Sequence, residues 1–356
     1  MSKRTKHLIV LASSFLLLVP VVAHAAPPSL FTVTPLVSDE PGVAAFQDPN
    51  LVNAWGLAAG PATPWWVADA DADVSTLYGG DGTPRSLVVS VEGGPTGEVF
   101  NGGASFVVTD GVTSGPALFL WATESGTIRG WNPGVPAPAP STQSTLAADR
   151  SGEGANYKGL AIATTADGDF LYATDFHNGR IDMFDGTFQV VTPSGAFVDP
   201  KMPAGFAPFG IQNIDGVLFV TYAMQDEEAE DEVTGPGLGF VDAYATDGRL
   251  LGRVASRGTL NAPWGLARAP AGFGRFGGDL LVGNFGDGRI NVFRSNKSTF
   301  AFGGQLRSAA GGLVEIDGLW AIRFGNDAAA GPSGTLFFTA GPDDEEHGLF
   351  GSIAPA

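Results

Sequence analysis

LYATDFHNGRIDMF (residues 171–184) sets apolar and polar side chains in alternation on both sides of Asn178-Gly179, a dipeptide that supports a tight two-residue turn. It reads as a β-hairpin, and it recurs. WWVADADADVSTLY (65–78), LFLWATESGTIRGW (118–131), LLVGNFGDGRINVF (280–293) and LFFTAGPDDEEHGLFGSI (336–353) share the pattern, and LFVTYAM (218–224) with GFVDAY (239–244) is a copy with a longer turn. Each is preceded by a short segment with glycine before an apolar pair: AWGLA (54–58), PTGEV (95–99), YKGLA (157–161), PFGIQ (208–212), PWGLA (263–267) and IDGLWA (316–321). The glycines are 41 to 62 residues apart.

Six such units, each strand, strand, turn, strand and a weaker fourth strand, predict an all-β six-bladed propeller of four-stranded antiparallel blades. We letter the strands A to D from the axis outward. The last unit stops after its third strand, whereas FTVTPLV (31–37) is a lone strand before the first unit. The simplest closure lets that N-terminal strand complete the last blade, which leaves no open sheet edge. Composition agrees: Gly is 51 of 356 residues, Pro is 25, and helical periodicity is absent after the first 25 residues.

Lys3, Arg4 and Lys6, an apolar run from Leu8 to Val22, and Ala23-His24-Ala25 read as an export signal cleaved near Ala25. The expected organisation is therefore a signal peptide over 1–25 and one propeller domain over 26–356, secreted or periplasmic. The apolar run is too short for a membrane-spanning helix, and none longer follows. Losing the leader takes the formal charge from −18 to −21. That charge repels nucleic acid and anionic lipid and attracts cations or basic partners. With no cysteine, packing alone must hold the fold.

D-to-A and B-to-C loops should emerge on one face, and the unusual residues gather in them. Asn53, Trp55, Tyr157, Lys158, Asn261, Trp264 and Asp317 lie at entries to A strands. Asp69, Asp71, Asp73, Glu124, Asp175, His177, Asn284, Asp287, Glu345, Glu346 and His347 lie in B-to-C loops. Nine residues before the aromatic that ends strand C stands Asp69, Asp175 or Asn284, a repeated position that can either shape a turn through backbone amides or hold calcium. An EF-hand is excluded, since Val74 and Gly80 replace its glycine and final glutamate. His177 and His347, in opposed blades, are candidate bases if they lean inward and surface histidines if they do not. Trp55 and Trp264 are either blade packing or a stacking platform, and Lys158 either a salt-bridge partner, with Asp175 the expected acid, or a carboxylate anchor. The acidic runs DEEAEDE (226–232) and DDEEH (343–347) read as solvated loops that could otherwise concentrate cations.

GFGRFG (272–277) matches GxGxxG but falls in an A-to-B loop without a following helix, so no phosphate site is expected. No GxSxG elbow occurs. The set NxWGLA (53–58), YKGLAI (157–162), FxDPxxPxGFAPFGIQ (197–212), LNAPWGLA (260–267), LLVGNFGDGRINVF (280–293), IDGLWAIRFG (316–325) and EHGLFG (346–351) resembles a family of secreted bacterial proteins of uncharacterised activity. Some members of that family carry a PEP-type C-terminal sorting tail, which SIAPA (352–356) does not match. More distantly the pattern is similar to NHL- and TolB-like propellers and to calcium-dependent lactonases. The lactonase resemblance implies calcium held at the channel mouth, matched here in residue type by Asn53, Asp175, Asn284 and Asp317.

Two functions are thus expected in competition. One is a monomeric binding module for a small molecule, glycan or protein, using Asn53, Trp55, Tyr157, Lys158, Asn261, Trp264, Asp287 and Asp317. The other is a hydrolase or lactonase with calcium on Asp69, Asp175 and Asn284 and with His177 or His347 as base.

Overall fold

The computed structural model describes residues 30–296 and 299–356. The export signal expected over residues 1–25 lies outside the described residues.

Six antiparallel sheets stand around one axis. Blade 1 is Ala54–Ala58, Trp65–Asp69, Val74–Tyr78 and a two-residue D strand, Val89–Ser90. Blade 2 is Pro95–Phe100, Phe119–Thr123, Thr127–Trp131 and Thr145–Asp149, with an added hairpin, Val107–Thr109 and Ser114–Pro116, between A and B. Blade 3 is Tyr157–Thr165, Gly168–Asp175 and Arg180–Asp185. Its fourth strand shrinks to a bridge between Phe184 and Val190. Blade 4 is Phe206–Ile214, Val217–Gln225, Phe240–Tyr244 and Leu250–Ser256. Blade 5 is Pro263–Arg268, Leu280–Asn284, Ile290–Asn296 and Thr299–Gln305. Blade 6 takes A, B and C from Leu319–Phe324, Leu336–Ala340 and Leu349–Pro355.

Its D strand is Leu30–Ser38, antiparallel to strand C from Phe31 opposite Pro355 to Ser38 opposite Leu349. The expected closure is therefore the observed one. GFGRFG lies in the A-to-B loop of blade 5 and forms a single 3₁₀ turn, Gly274–Phe276. Among the described residues no helix is long and apolar enough to cross a membrane.

The repeated glycine has a steric cause. A Cβ on Gly56, Gly97, Gly159, Gly210 or Gly265 would press into the backbone of the next blade's A strand. Neighbouring blades meet most closely there, where the ring is narrowest. In blade 6 that register falls on Ala321 rather than Gly318, because Ile322 pairs with Phe338 as Leu57 pairs with Val67 and Leu266 with Val282. Pattern matching thus placed the sixth copy three residues early. Every A strand also shifts register just before or at this position, between residues 54 and 57, 157 and 159, 208 and 211, 263 and 266, and 319 and 322, and between Pro95 and Glu98 as seen from strand B. Such a bulge re-aims the adjoining side chains.

Large rings fill the wedges between blades. Trp66 stacks on Phe119 at 4.1 Å and tilts against Trp131 at 4.8 Å, welding blades 1 and 2. Burying each such side chain stabilises by about 1.5–3 kcal/mol, which a chain without cysteine needs.

Candidate functional site

The bulged register produces two stacked rings at the axis. The residue before the glycine position is Trp55, Thr96, Lys158, Phe209, Trp264 or Trp320. Four of these are aromatic, and they close the channel: Trp55 and Trp320 stack at 3.7 Å, Trp264 meets Trp320 at 6.0 Å, and Phe209 meets it at 5.8 Å. Phe285, from the B-to-C loop of blade 5, stacks on Trp320 at 4.1 Å. The residue after the glycine position is Leu57, Glu98, Leu160, Ile211, Leu266 or Ile322, and this second ring lines a constriction of about 10 Å³ together with Gln212 and Arg323.

Above the aromatic plug the D-to-A and B-to-C loops wall a funnel of about 630 Å³. Asn53 and Asn156 come from D-to-A connections, and Asp71, Glu124, His177, Glu230, Asp231, Asp344 and Glu345 from B-to-C loops of five blades. The expected concentration of polar residues on one face is what builds it.

Lys158 stands at the funnel floor and is 1% exposed. Its Nζ lies 5.2 Å from the Trp55 ring centroid, 2.5 Å from Glu124 Oε1 and 3.1 Å from Asp231 Oδ1. Burial works against its charge, but Glu124, Asp231 and Glu232 outweigh burial and raise its pKa. The expected pairing with Asp175 is not formed; Asp175 bonds Arg180 at 3.1 Å instead. Asn53 is the other hub of the floor, 2% exposed and at φ 46°. Its amide donates to Glu345 Oε2 at 2.6 Å and to Asp71 Oδ1 at 3.4 Å, and its oxygen accepts the Trp320 indole N–H at 2.9 Å.

The carboxylates in the funnel and beside it are electrostatically crowded. Burial pushes Glu232 up to about 8, with Lys158 pulling it down and Glu345 adding to the rise. Burial likewise pushes Glu345 up to about 7, opposed by Asn53 and Lys158 and reinforced by Glu124 and Asp71. Both groups therefore exchange protons near neutrality, a property that collects at functional sites.

Other expected site residues are placed elsewhere. Asp175 accepts the backbone N–H groups of Asn156 and Asn178, and Asn284 bridges Thr259 O and Asp287, so both shape turns. Asp69 is fully buried, and neither carboxylate oxygen completes a hydrogen bond, although Thr76 lies close enough to oppose the rise that burial causes in its pKa. The residues expected to hold calcium, Asp69, Asp175 and Asn284, thus stand in blades 1, 3 and 5, and the latter two are engaged in local bonds. Trp55 is 1% exposed and stacked, so it offers no open face. Trp264 donates to Lys158 O, and Tyr157 donates to Asp182 inside blade 3. Asn261 accepts Gly235 N–H, and Asp317 accepts Asp343 N–H.

The two histidines do not face each other. His177 is exposed and lines the funnel. His347 turns outward, with Nδ1 2.8 Å from Asp39 Oδ2 beyond the outermost strand of blade 6.

Three features escaped sequence reasoning. Asp231 and Glu232 belong to a run that reads as solvated, but Asp226 accepts the N–H groups of Glu230 and Asp231 and folds the run back over the funnel. No local pattern announces that turn. Glu98 could have been found by aligning the copies, because it is the one charged member of its column.

A six-bladed ring closed by its N-terminal strand, with an acidic funnel over an aromatic plug, defines the class of protein. No protein-family model matches the chain. It is 35% identical over 334 residues to the uncharacterized protein R648 of Acanthamoeba polyphaga mimivirus, covering 89% of this chain and 78% of that one. It is 33% identical over 336 residues to the uncharacterized protein L690 of the same virus, covering 89% and 84%. The chain belongs to the family of these two proteins. Both relatives are viral, so they bring no support to the bacterial, exported setting that the resemblance implies. Among solved structures, the soluble aldose sugar dehydrogenase of Escherichia coli in its apo-form superposes with a TM-score of 0.53 at 13% identity, covering 92% of this chain and all of that one. At that identity it speaks for the fold alone.

Proposed function

We propose that this protein is a binding propeller whose funnel captures a small ligand bearing positive charge. The observation that carries the reading is a cavity of about 630 Å³ walled by Asp71, Glu124, Glu230, Asp231, Asp344 and Glu345. Its buried cation, Lys158, is already engaged by two of those carboxylates. The volume suits a small molecule. An incoming ammonium group would exchange with Lys158 for Glu124 and Asp231 and displace protons from Glu232 and Glu345. Calcium is the inorganic ligand of the same chemistry, with Asp71 and Glu345 as its oxygen donors. The formal charge of −18 argues against nucleic acid as partner. Export is proposed from the first 25 residues.

Calorimetry with spermidine, calcium chloride and a neutral sugar tests the reading. We expect saturable binding of spermidine or calcium with proton release that scales with buffer ionisation enthalpy, lost in Glu345→Gln with Asp231→Asn. Binding of the neutral sugar alone would overturn it.

A hydrolase reading retains one supporting observation. Exposed His177 shares the funnel with Glu345, whose pKa lies near 7, a range suited to acid–base work. Lactone turnover that requires Glu345 would favour it over simple capture.

A further inference from the structure

Outside the funnel, one cluster joins the two ends of the chain. Glu40 follows the N-terminal strand that completes blade 6, and Asp343 and His347 lie in the B-to-C loop of the same blade. One donor atom from each, a carboxylate oxygen from Glu40 and Asp343 and a ring nitrogen from His347, lies within 4.8 Å of the other two. We propose that these three side chains form a site for a divalent transition ion of the zinc type.

The imidazole sets this cluster apart from a group of surface acids. His347 Nδ1 lies 2.8 Å from Asp39 Oδ2, and Asp39 is itself fixed because its Oδ1 accepts the Gly348 backbone N–H at 2.9 Å. A carboxylate on one ring nitrogen sets the tautomer, places the lone pair on the other and raises its basicity, as partners of metal-bound histidines do. The nitrogen left over is Nε2, and it stands 3.8 Å from Glu40 Oε1. Around a tetrahedral zinc with bonds of about 2.0–2.1 Å, neighbouring donor atoms sit roughly 3.3 Å apart. Closing from 3.8 Å therefore needs about half an ångström of movement from a partly exposed glutamate. Imidazole with carboxylates suits zinc and its neighbours, whereas calcium prefers an all-oxygen shell, so this site differs in chemistry from the funnel. Water would fill the fourth position. Bound here, the ion would tie the entering strand to the loop that also carries Asp344 and Glu345 into the funnel.

Zinc chloride titrated into the full-length protein by calorimetry, with thermal melts alongside, tests the assignment. We expect one zinc per chain, a higher melting temperature with zinc than with EDTA, and affinity lowered roughly tenfold or more in His347→Ala, Glu40→Gln and Asp343→Asn. The last two variants keep the contact between His347 and Asp39, so a loop disturbed by losing the imidazole cannot account for all three results. Cobalt should give the visible absorption of a tetrahedral nitrogen–oxygen site. No saturable binding with zinc in large excess would overturn the proposal. So would unchanged affinity in the three variants, or loss of zinc only in Glu345→Gln with Asp231→Asn, which would move the ion to the funnel.

Discussion

Lys158 and Glu98 hold matching offices in adjacent rings, each the lone charge among six equivalent positions on the axis, and the protein treats them in opposite ways. Lys158 is met by Glu124 and Asp231 reaching in from loops, and its charge is reinforced. Glu98 is 2% exposed and completes no hydrogen bond. Burial drives its pKa well up and Asp69 adds to the rise, with Arg323 and Trp121 the opposing influences. Burial in turn lowers Arg323 to about 10, and Glu98 pulls it back. The difference is one of reach. Above the plug, long loops can bend carboxylates toward a cation. Below it, rigid A strands offer five aliphatic side chains with one glutamine and one arginine.

The sharpest way to break the comparison is to remove its satisfied member. Lys158→Met should destabilise by about 2–3 kcal/mol in urea unfolding at pH 7.5, less than a fully buried pair loses because Glu124 and Asp231 keep water contact. The deficit should shrink at pH 5, where Glu232 and Glu345 hold their protons. An equal deficit at both pH values would mean that Lys158 acts by packing alone.

Glu98→Leu should do the reverse, stabilising by about 1–2 kcal/mol, since it restores the aliphatic ring and removes a carboxyl without a formed partner. Destabilisation by that amount would show that Arg323 depends on this acid more than burial opposes it.

The smallest effect concerns pH. A carboxyl whose folded pKa is raised holds a proton that the unfolded chain releases, so its contribution is complete below the unfolded value near 4.5 and is lost as pH rises through the folded value. Stability should therefore decline up to about pH 7 through Glu345 and about pH 8 through Glu232. Glu232→Gln should flatten the upper part of that decline by about 1 kcal/mol after allowance for solvent screening. An unaltered pH profile of the melting temperature would place the Glu232 carboxyl in solvent.

Periodicity made the blades readable, because alternation and turn glycines are local properties. The closure by residues 31–37 was readable for a different reason: a missing strand at one end and a spare at the other admit one economical answer. Chemistry was harder. Which member of a repeated position faces the axis is decided by a bulge of one residue in every A strand. Hence Trp55 reads in the sequence as either blade packing or a stacking platform and is a plug in the fold. His347 illustrates the other limit. Asp39 lies 308 positions away along the chain, so no reading of DDEEHG could foresee the contact that turns the ring outward.

The same distant pairing constrains how the molecule comes to be. Phe31 and Val37 are wholly buried, but the strand they must lie against, Leu349–Pro355, is synthesised about 310 residues later. Until it appears, the strand Leu30–Ser38 waits with its apolar side chains and unpaired amides uncovered, a template for association with other chains. A product terminated before residue 349 would leave the second and fourth strands of blade 6 without the strand between them, so it should be recognised by the cell's quality control as an unfinished molecule.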